Sequence, residues 1–368
     1  MSAPGRSGTF DPGRPCARGA SWDAEPAMAR PGGPRRSAMR LGLLTGGGDC
    51  PGLNAAIRAV VRVATREGDE VVGFHHGWRG VVGDEASPLT WEMTWGILGS
   101  GGTILRTARY HPHEHAGGLD AVGRAVRREK LDALVVVGGD GTLGAGARVA
   151  ACGIPVVGIP KTIDNDVPGT TRCIGFDTAV GIAAEAIDRL ETTGESHDRL
   201  MVAEVMGRAT GWLAVEAGVA GGANALCLPE VPTDLSALAS AIVERHGAGT
   251  TSSVIVVAEG AVLVADGEPV AGPRGTAVAD ALAERTGYET RLTVLGHVQR
   301  GGPPSAYDRF LATEYGVAAV GAVHAGADAH LLSIGADGTE LVPLDVTGAG
   351  PRPVPASLLD LVDKVTLG

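Results

Sequence analysis

The sequence predicts an α/β protein built from doubly wound parallel sheets, and three observations carry that expectation. Short apolar runs rich in Val, Ile and Leu alternate with stretches of helical periodicity along most of the chain. Many of these runs end in clusters of glycine and charge, as strand-to-helix loops do. A hydrophobic content of 44% is broken by 57 glycines and 22 prolines, so no apolar run approaches the roughly 20 residues a membrane helix needs. Sheets of this class bind ligands beyond the carboxyl ends of their strands, which is where the clusters fall.

The first 38 residues lack any helical or strand period and are rich in Gly, Pro, Arg and Ala, which predicts a disordered extension. Six arginines there face only Asp11, Asp23 and Glu25. A dispensable tail is the favoured reading and a basic contact arm the alternative. The apolar segment of a secretory signal is missing, and Met39 is a candidate start because a strand follows it directly. Residues 41–45 (LGLLT) form that strand and run into Gly46, Gly47 and Gly48. Asp49 is expected to cap the next helix, with Pro51 in its first turn. Leu53, Ala56, Ile57, Val60, Val61 and Ala64 keep helical spacing, and Gly68 closes the helix. A strand over 70–74 completes a βαβ unit. Further strands are expected over 131–137, 154–159, 200–205, 225–228, 254–258 and 292–295, with a helix over 176–190.

A net charge of -11 argues against a nucleic-acid binder, whereas a few clustered arginines suffice for small phosphorylated ligands. The five cysteines (Cys16, Cys50, Cys152, Cys173, Cys227) are widely spaced without a CxxC pair. Neither a disulfide framework nor a cysteine zinc site is expected, and a reducing cytoplasm fits best.

Two familiar nucleotide signatures are missing. No GxxxxGK[ST] occurs, and Gly46, Gly48 and Gly52 are spaced one residue too long for the dinucleotide fingerprint. A glycine turn before a helix still offers N–H groups to phosphate, although many such turns are steric only. The run 138–142 (GGDGT) adds a carboxylate, Asp140, suited to a Mg²⁺-bound water; read alone it is equally a turn with an Asp cap. The run 160–166 (PKTIDND) is harder to explain structurally. Lys161, Thr162, Asp164 and Asp166 concentrate polarity that a core disfavours, and in an extended segment the two carboxylates point the same way. One could then serve a hydroxyl and the other a metal, the division that phosphoryl transfer needs; a capping cluster for the next helix is the less favoured alternative. Arg109, Arg199, Arg208, Arg291 and Arg300 stand at strand ends, and Arg208 and Arg300 adjoin glycine in positions fit to grip phosphate. His111, His113 and His115 read as a polar loop rather than a metal site.

GGGDCPG, GGDGT, PKTIDND, EVMGR and GHVQRGG, in this order and at these distances, resemble the ATP- and pyrophosphate-dependent 6-phosphofructokinases. The resemblance runs from about Arg40 to the C-terminus. It implies two similar Rossmann-like domains with the active site in the cleft between them. Residues 39–175 with about 299–350 would bind the donor, and 176–298 with about 351–368 the sugar. It further implies phosphoryl transfer from ATP to the 1-hydroxyl of fructose 6-phosphate, in glycolysis. Asp164 would be the base, with Asp140 holding Mg²⁺ and Asp166 near the metal and the sugar. Thr162 and Arg208 would stabilise the transferred group. Gly48, Arg109, Tyr110, Gly141 and Thr142 fall on the donor side, with Trp78 stacked on adenine. Arg199, Met206, Gly207, Glu259, Arg291, His297 and Arg300 fall on the sugar pocket. Residues matching Arg199 and Arg291 come from a neighbouring subunit, which implies a homotetramer or at least a homodimer.

The donor rests on two positions. Pyrophosphate users of the family carry Asp where this chain has Gly141, which leaves room for ATP. Lys161 is typical of pyrophosphate users and adds a phosphate contact, and Ala145 replaces a donor-loop glycine. The family's effector pocket keeps Arg58 and Arg62 but otherwise reads Glu191, Asn224, Ala248 and Thr250, which predicts weak or absent control by ADP or phosphoenolpyruvate. The alternatives are pyrophosphate as donor, another sugar phosphate such as sedoheptulose 7-phosphate as acceptor, and a non-catalytic sugar-phosphate sensor.

Overall fold

In the computed structural model, residues 37–335 and 338–367 are described; the expectations for the N-terminal extension fall outside them up to residue 36. The first part of the chain builds a βα alternation in the order β1 (Arg40–Thr45), α1 (Leu53–Glu67), β2 (Glu70–Phe74), α2 (Trp78–Gly83), β3 (Ala86–Pro88), α3 (Gly118–Glu129), β4 (Ala133–Gly138), α4 (Asp140–Ala150) and β5 (Val156–Pro160). The long helix α5 (Phe176–His197) leads into a second alternation. It runs β6 (Leu200–Val205), α6 (Trp212–Ala220), β7 (Ala225–Cys227), β8 (Thr233–Asp234), α7 (Leu235–Gly247), β9 (Ser253–Ala258), β10 (Leu263–Ala265), β11 (Glu268–Pro269), α8 (Arg274–Thr286) and β12 (Thr290–Val294). The chain then returns through α9 (Ala306–His324), β13 (His330–Gly335) and β14 (Gly338–Pro343), and ends in α10 (Ala356–Val365).

The first sheet has the order β14-β13-β5-β4-β1-β2-β3, parallel except for its two edge strands. The second, β12-β6-β9-β7, is parallel throughout, with a small ribbon of β8, β10 and β11 beside it. Strands β1, β4 and β5 are buried almost end to end, which explains their uninterrupted apolar runs. One apolar cluster is continuous from Leu43, Ile57 and Ile159 of the first sheet layer to Ala203, Trp212 and Val256 of the second, so the two layers share a core. Helix α9 packs along α1, while α10 packs on α6, so the returning chain touches both layers. Among the described residues no helix is long and apolar enough to cross a membrane.

The boundaries differ from expectation where tertiary packing decides. Strand β4 starts at Ala133 because the Leu131 N–H closes the end of α3 on the Val126 carbonyl. Helix α5 continues to His197, seven residues beyond its periodic apolar face. Asp49 does not cap α1. The preceding residue is Gly52 at φ +103°, without a side-chain cap, and a Cβ there would meet Ile174 at 2.5 Å. Pro51 therefore lies before the helix and not in its first turn.

Candidate active site

Three adjacent parallel strands aim their exit loops at one place. β1 runs into Gly46–Gly48, β4 delivers Asp140 as the first residue of α4, and β5 runs into the 161–166 loop. Gly48, Arg109, Asp140, Gly141 and Thr142 line one side of the pocket formed there. Lys161, Thr162, Asp164 and Asp166 line its floor. Arg208, from the loop after β6, and Arg300, from the turn after β12, close it from the second sheet. The pocket thus sits between the two layers.

The loop after β5 is a tight turn rather than the extended segment expected. Asn165 adopts φ +50°, its Oδ1 accepts from the Cys173 N–H at 3.0 Å, and its Nδ2 donates to the Thr171 carbonyl at 3.3 Å. The turn presents both Asp164 and Asp166 to the pocket. The returning chain pins it from behind. The Arg352 N–H donates to the Asp166 carbonyl at 2.7 Å, and its Nη2 donates to the Asn165 carbonyl at 2.7 Å. Its guanidinium lies 3.9 Å from the centroid of Trp212, whose indole N–H donates back to the Arg352 carbonyl.

Burial dominates the electrostatics. The Asp164 side chain is 3% exposed, with Arg208 Nε 3.5 Å from its Oδ2 and no hydrogen-bond partner for Oδ1. Burial pushes its carboxyl upward, while the Arg300 and Arg208 charges pull it back. Asp140 is also raised by burial, and its Oδ1 is likewise unpartnered. Asp166 is pushed up to about 6, first by burial and then by the Asp164 charge. Three carboxyls raised by burial, one of them raised further by the charges of the other two and those two with orphaned oxygens, suit a bound cation. No group of three or more His, Cys, Asp or Glu side chains among the described residues is placed to hold a metal alone. A divalent ion here would take part of its shell from phosphate and water, as Mg²⁺ does.

Lys161 is 1% exposed and donates from Nζ to the carbonyls of Gly46 at 2.8 Å and Gly48 at 2.6 Å. Its ammonium braces the glycine loop, an engagement beyond the phosphate contact that was expected. Arg208 stands at φ +53° after Gly207 at φ +140°, and the N–H groups of both donate to Glu259 Oε1 at 2.8 and 3.2 Å. Glu259 therefore shapes the Arg208 loop, while Met206, Gly207 and Glu259 stand behind the pocket wall. His297 is exposed on the turn that buries Arg300.

Trp78 is misplaced by the sequence reading. It is 1% exposed in the core, and its indole N–H donates to the Thr142 carbonyl at 3.0 Å, so it has no free face for adenine. Tyr110 stacks on His115 at 4.3 Å and lies outside the pocket lining. Arg199 and Arg291 both bind Glu289 at the amino ends of β6 and β12, a strand length from the cleft. They do not serve this chain's own pocket. His111, read as a loop residue, does line it; its closeness to Arg109 was the signal available.

A profile of the family described as Phosphofructokinase matches residues 40–323. The chain belongs to that family. Its phosphofructokinase relatives include the pyrophosphate--fructose 6-phosphate 1-phosphotransferase of Amycolatopsis methanolica, 48% identical over 84% of this chain and 94% of that one. The ATP-dependent 6-phosphofructokinase of Corynebacterium efficiens is also 48% identical, over 78% of this chain and 88% of its own. Equal identity to both means that overall similarity does not choose the donor. Among solved structures, Pichia pastoris phosphofructokinase in the T-state superposes with TM-score 0.77 at 34% identity, over 90% of this chain and 37% of that longer one. The pyrophosphate-dependent phosphofructokinase of Marinobacter aquaeolei, at 21% identity and TM-score 0.78, shares the fold over 90% of this chain and 92% of its own. The phosphofructokinase chain described here is an enzyme, a phosphotransferase with an alcohol acceptor.

Proposed function

We propose that the protein transfers a phosphoryl group from ATP to the 1-hydroxyl of fructose 6-phosphate, giving fructose 1,6-bisphosphate. The observation that carries this reading is the buried Asp164 carboxylate, with one oxygen unpartnered and an arginine beside the other. An oxygen so placed accepts the proton of an incoming alcohol, and its raised affinity for protons makes it a stronger base than a solvated aspartate. Arg208 offers positive charge as negative charge builds on the transferred group, with Thr162 beside it in the pocket. The donor's phosphates would lie along the Gly46–Gly48 loop and the amino end of α4, where backbone N–H groups and the helix dipole favour anions. Asp140, with Asp166 near, would hold Mg²⁺, which when bound neutralises charge on the donor phosphates.

Residues 39–175 with about 299–350 form the donor side in this reading, and 176–298 with about 351–368 the sugar side. Arg300, Met206, Gly207, Glu259 and His297 belong to the sugar side of the cleft. Arg199 and Arg291 would act on the cleft of a neighbouring copy, in a homotetramer or homodimer, because they stand away from their own. The name of the Amycolatopsis relative and the buried Lys161 favour a second reading, with pyrophosphate as the donor. Gly141 favours ATP. Assaying purified protein with Mg²⁺, fructose 6-phosphate and each donor in turn decides between them. Activity confined to pyrophosphate sinks the ATP reading, and absence of both overturns the function.

A further inference from the structure

The space beside Gly141 is not empty. A Cβ built there would stand 2.9 Å from Nε2 and 3.0 Å from Cε1 of His111, so the imidazole rests directly against the glycine. The same ring lines the pocket together with Arg109, Asp140 and Thr142. It is held from behind by Glu114, whose Oε1 lies 3.1 Å from Nδ1, and by the His113 ring at 5.9 Å between centroids. The short turn that carries these residues, Pro112–Glu114, is itself fixed. Pro112 is buried, and a Cβ on Gly118 would meet its carbonyl oxygen at 2.1 Å.

We propose that His111 sets the donor preference, its imidazole occupying the place beside Gly141 that a nucleotide needs for the phosphates beyond the transferred group. This deepens the donor site proposed above and rests on that reading. Pyrophosphate ends sooner and leaves the ring where it is; ATP must turn it outward. The turn is feasible, because the Glu114 side chain is 57% exposed and a hydrogen bond so open to water is weakly held. A glycine at 141 is therefore necessary for the longer donor but not sufficient, since the neighbouring ring takes the volume that the missing side chain frees.

The test uses the full-length protein with His111→Ala and His111→Phe. Initial rates give kcat/KM for ATP and for pyrophosphate, with KM for fructose 6-phosphate as control. Calorimetry with a non-hydrolysable ATP analogue and with pyrophosphate reads donor binding without turnover. The alanine variant is expected to raise the ratio of ATP to pyrophosphate kcat/KM by about five-fold or more, a difference of about 1 kcal/mol. The phenylalanine variant, which keeps the bulk, is expected to leave that ratio at or below its starting value. An unchanged or lowered ratio in the alanine variant overturns the proposal, and so does a rise in both variants. If the unaltered enzyme turns over neither donor, the functional reading fails, and the analogue affinities of the two variants still decide the role of the ring.

Discussion

Loss of water sets the chemistry of single side chains in this cleft. Asp164→Asn keeps the shape of the turn but removes the charge proposed to accept the proton, so kcat is expected to fall by about 100-fold or more, with KM for the sugar little changed. Turnover within a few-fold of normal would refute the assignment. Asp166 gives a pH prediction. Its proton affinity is raised in the folded state from 3.8 to about 6, so its contribution to stability is full below about pH 4 and is lost as pH rises through 6. Without metal and donor, Asp166→Asn should therefore stabilise the fold at pH 8, by about 3 kcal/mol. The gain should fade towards pH 4, as thermal melts across that range would register. The polar run from Lys161 to Asp166 was conspicuous in the sequence because a core has no use for it. The partners of Lys161 were not, because Gly46 and Gly48 precede it by 115 and 113 residues. Trp78 failed for the same reason: nothing nearby in sequence announces that its indole N–H reaches the Thr142 carbonyl.

The strands and helices that carry the site were legible, since β1, β4 and β5 announce themselves as buried runs and α1 by its periodic face. Loop shape was not. The 161–166 segment reads as extended only while its neighbours are unknown. What bends it is Asn165 bonding to the Cys173 and Thr171 backbone, together with a strap from residue 352. Arg352 is accordingly a positioning residue for the turn that carries Asp164, the proposed base. In Arg352→Ala the Asn165 carbonyl and the Trp212 face lose their partner, and the turn gains freedom. The expected signature is a lower kcat with both KM values nearly unchanged, partly restored in Arg352→Lys. Equal loss in KM for both substrates would point to general disorder of the cleft.

At the scale of the whole molecule, alternation of strand and helix foretold the parallel sheets. That alternation did not reveal that the final strands belong to the first sheet, because pairing order is a property of the folded chain. The arrangement leaves Arg199 and Arg291 at the amino ends of β6 and β12, the opposite end of those strands from the loops that reach the cleft. If a neighbouring copy uses them, chains carrying Asp164→Asn and chains carrying Arg291→Ser, each nearly inactive alone, should recover activity when unfolded and refolded as a mixture. A mixture no more active than its parts would mean that each cleft is built from one chain. The pairing of β13 with β5, through His330 against Val157 and Leu331 against Gly158, also bears on synthesis. Until residue 331 has left the ribosome, one side of β5 offers open N–H and C=O groups to any strand it meets. A chain ending at residue 328 should consequently be recovered in inclusion bodies, whereas full-length protein made under the same conditions stays in the supernatant.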